Sequence, residues 1–167
     1  MTTTRDGLAK LATLIEGIDV AMLTTATHDG RLLSRPLRNR GLDAEGALWF
    51  VTDRDSHKVE EVRTHPRVNV AFAAPTDNTF VSVAGRAQVL FDKAKLQELW
   101  SPAMGVFYPR SVDDPALCVL RVQAESAEYW DSPGGLVGTA LYLAAAALTG
   151  EAGALSENER LRFPGAN

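Results

Sequence analysis

Residues 20–37 read VAMLTTATHDGRLLSRPL, and this stretch limits the fold more than any other. Two β-rich runs flank His28-Asp29-Gly30, and Asp-Gly between such runs predicts a hairpin. The gap is far too short for a parallel crossover, which takes about a dozen residues or more. The sheet is therefore expected to be antiparallel. Four more strand-like runs follow: ALWFVT, entered through the turn-like DAEG, then RVNVAFA, FVSVAGRAQVLF and LCVLRVQAESAEYW. In the fifth run Val81, Val83, Ala87, Val89 and Phe91 share one face, and Ser82, Arg86 and Gln88 lie mostly on the other. Gly85 interrupts the apolar face and predicts a bulge or a sharp bend.

Helices fill the spaces between these runs. Leu8, Leu11, Ala12, Ile15 and Ile18 recur at helical spacing, with Thr4 or Asp6 available as a cap. Residues 56–64 suit one short helix, which must end before Pro66 because His65 is disfavoured in the α region. KAKLQELW is a third helix, and the last 30 or so residues read as an alanine-rich helix and a polar tail. No repeat, linker or composition shift divides the chain. The expectation is one mainly β domain over residues 1–167, with a core at about 8–150 and a tail at 151–167. Its architecture is expected to be a six-stranded antiparallel barrel with flanking helices.

Composition removes several functions. The net charge is −4 and lacks the basic excess of a nucleic-acid binder. Cys118 is the single cysteine, so an intrachain disulfide and a cysteine-based zinc cluster are both excluded. It alternates with Leu120 and Val122, which reads as core. The N-terminus has no signal-peptide pattern. The longest weakly apolar stretch, GGLVGTALYLAAAALTG, falls short of the roughly 20 residues that span a bilayer. A cytoplasmic protein without a membrane partner is expected. G-x-S-x-G, H-E-x-x-H, P-loop and G-x-G-x-x-G patterns are all missing. His57 and His65 stand too far apart to ligate a metal from one helix face, so no metal site is expected.

One chemical constellation remains. SRPL places Arg35 beside Pro36, and proline in a strand marks an edge or an end. Arg35 offers a planar fork suited to phosphate. WFVT ends in Thr52, and Ser56 and Lys58 open the next helix, where free N–H groups and the dipole favour an anion. Two neighbouring strands and a helix start can thus converge on one phosphate. The competing reading makes Ser56 or Asp55 a plain N-cap, leaves Lys58 in solvent and pairs Arg35 with an acid.

SRPL, GALWFVTDRDSHK, HPRVNVAF, SVAGRAQV and SVDDPALCVLRV followed by AEYWD, in this order and spacing, resemble the pyridoxamine 5'-phosphate oxidase-like flavoproteins, in particular the general stress protein branch. The resemblance covers about residues 8 to 150. It implies an FMN-binding split barrel and a homodimer with flavin at the subunit interface. It matches Arg35, Pro36 and Leu37 to the strand whose arginine meets the flavin phosphate. Val51 and Thr52 match the strand end beside the ribityl chain and ring, and Ser56, His57 and Lys58 match the phosphate clamp. Trp130 matches an aromatic that approaches the isoalloxazine from the partner subunit; its other reading is a core or interface anchor.

Two departures bear on activity. The oxidases end in a basic motif with a histidine, which Arg160 and Arg162 do not reproduce, so pyridoxamine phosphate oxidation is not expected. In YPRSVDDP, Arg110 and Ser111 stand where the stress-protein branch carries small, turn-permissive residues. The expected function is an FMN-dependent oxidoreductase of unknown substrate. The alternatives are a flavin-binding stress module without turnover, or the same barrel holding FAD, a deazaflavin or haem. Haem would need an axial ligand, for which His28 on a hairpin turn is poorly placed.

Overall fold

The computed structural model describes residues 4–106, 108, 111–132, 147 and 157–163. Along the chain these form α1 (Thr4–Ile15), β1 (Val20–Ala26), β2 (Leu32–Arg38), β3 (Ala47–Asp53), α2 (His57–Thr64), β4 (Arg67–Ala74), β5 (Thr79–Leu90), α3 (Lys93–Leu99), a 3-10 turn (Pro102–Val106), β6 (Leu117–Asp131) and β7 (Glu157–Arg162). All ladders are antiparallel, and the strand path is β2-β1-β4-β5-β6-β3, with β7 on β6. The two ends of the path, β2 and β3, approach each other without forming a ladder, which leaves the slit of a split barrel.

Local chemistry explains the ends of these elements. The hairpin closes with Thr27 N–H donating to the Arg31 carbonyl at 2.8 Å, while Gly30 takes the left-handed φ of 83° that the Asp-Gly pair forecast. Thr4 and Asp6 both lie inside α1 instead of capping it, and Ile18 falls beyond its end. The α2 helix stops at His65, whose extended φ of −129° suits a residue before proline.

The six expected strands make up the path of the barrel, and among the described residues the tail, expected to be irregular, adds a seventh strand, β7, off that path. Charged residues in ENERLR hide an alternation. Leu161 and the following Phe163 are buried at 6% and 8% exposure, against Gly7 of α1. Arg160 and Arg162 face outward, and β7 pairs only with the second half of β6, from Ser126 to Asp131. The first half, Leu117 to Gln123, pairs with β3. One long strand therefore carries two short ones on the same edge. The register shift occurs between Ala84 and Gly85, where β6 carries the extra residue Glu125. A Cβ at position 85 would run into the Gln123 carbonyl, so the interruption predicted at Gly85 is a bulge that needs glycine. The alanine-rich helix expected after residue 133 lies outside the described residues.

Two apolar clusters hold the molecule together. The barrel interior centres on Leu23, Phe50, Val70, Phe72, Val83 and Leu120. A second cluster of Val51, Leu96, Leu99, Met104, Leu117 and Val119 sits between the sheet and α3. The strand β3 and the first half of β6 are thus covered on both faces, which explains their continuous apolar runs. The expected face of β5 holds for Val81, Val83 and Ala87 and is only partly buried at Val89. It fails at Phe91, which lies past the strand end at 57% exposure, with Arg54 and Arg63 at 5.1 and 5.6 Å from its ring. The outer sheet face leaves Val20, Met22, Phe80 and Trp130 exposed. Among the described residues no helix is long and apolar enough to cross a membrane.

Candidate functional site

Strand parity puts Arg35 on the inner side of β2, in register with Leu23 of β1. Its guanidinium reaches under α2. There Nη1 donates to Glu61 Oε2 at 2.9 Å and to Thr25 Oγ1 at 2.5 Å, and Thr25 donates to the same Glu61 oxygen at 2.5 Å. The ion pair is largely buried, with side-chain exposures of 20% for Arg35 and 11% for Glu61. Only Nη1 is engaged: among the described residues the Nε and Nη2 edge of the fork carries no hydrogen bond. Of its neighbours, Leu37 is core, whereas Pro36 lies on the outer face opposite Met22. As its proline implied, β2 is an edge strand.

The second arm comes from β3 and α2. Thr52 is fully buried at the strand end, and Lys58 Nζ donates to its Oγ1 at 3.0 Å. Burial is the main cause that holds the Lys58 ammonium below its usual pKa, and the Arg35 charge adds to it; Asp53 and Glu61 pull the other way. No carboxylate among the described residues lies within ion-pair distance of Lys58. Two cations thus share one end of the barrel beside the slit, and Glu61 directly engages only one of them. The Val51 side chain belongs to the second cluster, and its carbonyl accepts from Tyr108 Oη at 2.9 Å. Burial pushes that phenol's pKa up.

Ser56 occupies the N-cap position of α2, but its hydroxyl makes no cap bond and donates back to the Asp53 carbonyl at 2.7 Å. His57 is exposed. It lines a cavity of about 210 Å³ with Thr27, His28, Glu60, Glu61 and Thr64. Trp130 is 39% exposed on the outer face, paired with Phe80 and Asn158. It stands twelve residues along β6 from Cys118, the partner of Thr52. At about 3.3 Å per residue that separation is on the order of 40 Å for a straight strand. Trp130 therefore does not join the Arg35–Lys58 pair within one chain. A cavity of about 400 Å³ at that far half of β6 is lined by Ser82, Glu128, Arg160 and Arg162, and its Arg160–Glu128 pair at 2.9 Å partly neutralises it.

Among the described residues the structure brings together Arg35, Thr52 and Lys58, shows no hydrogen bond from Ser56 or His57 to them, and places Trp130 at the far half of β6. It also adds Thr25, and it names Glu61 as the acid that the competing reading placed beside Arg35. Their signals were present. Thr25 shares the inner parity of Ala21 and Leu23, and Glu61 follows Lys58 by three positions on one helix face.

Comparison with known proteins agrees with this architecture. The family model for pyridoxamine 5'-phosphate oxidase-like proteins matches residues 6–153. The protein bli-3 of Neurospora crassa is 26% identical over 139 residues, which cover 78% of this chain and 66% of that longer relative. General stress protein 26 from Jannaschia sp. CCS1 superposes with a TM-score of 0.77 at 23% identity, covering 95% of this chain and 99% of that one. The general stress FMN/FAD binding protein of Xanthomonas citri superposes with a TM-score of 0.65 at 26% identity, covering 76% of this chain and 89% of that one. With the family model matching most of its length and the split barrel in place, the chain belongs to the pyridoxamine 5'-phosphate oxidase-like family.

Proposed function

We propose that this protein binds FMN at the slit between β2 and β3 and works as a flavin-dependent oxidoreductase in a homodimer. One observation carries the proposal: Lys58 is partly buried beside Arg35, without an acid of its own, at the cost of a depressed pKa. Such a cation is expensive to keep unless an anion visits it. The free edge of Arg35 and the Lys58 ammonium suit a phosphate monoester. Exposed Asp53, Asp55 and Glu60 around the opening of α2 disfavour a second phosphate, which favours FMN over FAD. The Xanthomonas relative's description as an FMN/FAD binding protein supports a flavin as the ligand.

When bound, the flavin supplies the redox chemistry. The chain's own residues hold its phosphate through Arg35, Thr52 and Lys58. The test is a titration of flavin fluorescence with FMN and with riboflavin, which lacks the phosphate. Lys58→Ala should weaken FMN binding by about 1.5–3 kcal/mol, the range for a lost charge-assisted hydrogen bond. Riboflavin should bind far more weakly and be nearly insensitive to the change. Equal affinities for the two ligands would overturn the proposal. Bleaching of bound FMN by a nicotinamide donor, followed by return of the oxidised spectrum when an electron acceptor such as oxygen is admitted, would establish redox turnover, and a donor-independent spectrum would leave binding alone.

A further inference from the structure

We infer that Glu61 and Thr25 are positioning residues for the phosphate site, setting the orientation of Arg35; the inference rests on the proposed FMN reading. The argument is geometric. Thr25 Oγ1, Glu61 Oε2 and Arg35 Nη1 form a closed triangle with sides of 2.5, 2.5 and 2.9 Å. Thr25 is 1% exposed and the Glu61 side chain 11%, so β1 and α2 fix the triangle from two directions. A guanidinium is planar, and anchoring one terminal nitrogen to two partners leaves the Nε–Nη2 edge with a defined direction. That edge is the pair of donors that a phosphate takes bidentately. An unanchored arginine would have to lose its rotamer freedom on each binding event.

The charge of Glu61 alone predicts the opposite behaviour. A carboxylate close to the bound phosphate repels it, so removing that charge without a positioning role should tighten binding. The two roles therefore differ in sign. Glu61→Gln keeps the shape and an acceptor but weakens the anchor. Thr25→Val keeps the shape and deletes the hydroxyl.

The experiment measures FMN and riboflavin affinity for the wild type, Glu61→Gln, Thr25→Val, Arg35→Ala and the Arg35→Ala/Glu61→Gln pair. Melting temperature serves as the folding control. Each single change at Glu61 or Thr25 should lower FMN affinity by roughly 3- to 10-fold, as expected for one hydrogen bond, and leave riboflavin affinity unchanged. In the Arg35→Ala background, Glu61→Gln should cause no further loss of FMN affinity, because its positioning role passes through Arg35 and only its charge repulsion is left to remove. Unchanged or tighter FMN binding in both single variants would overturn the inference. So would an equal loss for FMN and riboflavin, or additive losses in the pair. If the wild type does not distinguish FMN from riboflavin, it is the FMN reading itself that fails.

Discussion

At the residue scale, Lys58 makes the sharpest claim. Its pKa is lowered in the folded protein, so between that lowered value and the ordinary 10.5 the folded chain is neutral there while the unfolded chain is still charged. Folding stability therefore rises with pH across that window as the cost of the buried charge disappears. Phosphate binding needs the charged form, so FMN affinity should fall over the same window, starting below pH 10.5. Affinity titrations carried upward through pH 10.5 should show this fall in the wild type, with its midpoint below 10.5, and a flatter profile in Lys58→Ala. Ser111 makes a separate prediction. Its φ of 99° lies in the left-handed region, where a β-carbon costs about 1–3 kcal/mol. Ser111→Gly should relieve part of that strain and raise the melting temperature. The sequence marked this position as an expectation, because the family resemblance matches Ser111 to a small, turn-permissive residue. Arg35 was only half legible: its fork was visible, but the acid that holds it comes from α2, and no local pattern names a tertiary partner.

At the element scale, the strands were legible wherever their side chains alternated or ran apolar between turn residues. The hairpin at Asp29-Gly30, the bulge at Gly85 and the stop at Pro66 each rest on backbone chemistry that a sequence states directly. The strand β7 was missed because two inward positions, Leu161 and Phe163, lie among outward charges, and a six-residue strand gives too few periods to stand out. Its packing turns that miss into a prediction. Leu161 and Phe163 close the barrel core against α1, and Tyr129 Oη donates to Glu159 at 3.0 Å across the β6–β7 pair. Leu161→Ala should destabilise the protein by about 2–4 kcal/mol through lost burial and a residual cavity. Chemical denaturation would measure it, and a loss under 0.5 kcal/mol would mean that β7 is not part of the cooperative fold. The change should leave the discrimination between FMN and riboflavin intact, since the clamp sits at the other half of the barrel.

At the scale of the whole molecule, the outer sheet face bears on the proposed homodimer. Val20, Met22, Phe80 and Trp130 are exposed apolar groups on one face, which is the pattern of a surface that meets a partner. Trp130 is too far along β6 to reach the clamp of its own chain, so any flavin it touches belongs to a second copy related by a two-fold axis. Sedimentation should then report about twice the 18.0 kDa chain mass. Trp130→Phe tests both statements together. An indole against the ring quenches flavin emission and contributes on the order of 0.5–1.5 kcal/mol beyond the area it buries. The variant should keep the dimer mass and the phosphate-driven affinity, yet raise the fluorescence of bound FMN. Trp49 and Trp100 need their own phenylalanine controls. The Trp49 indole N–H donates to Asp43 at 2.8 Å with Lys95 over its ring, and Trp100 packs at 6.3 Å from Tyr108, so neither is free to report on the flavin by moving. If Trp130 anchors only the subunit contact, its replacement should lower the mass average at micromolar concentration and leave the emission of bound flavin unchanged. That result would keep the dimer and remove Trp130 from the flavin site.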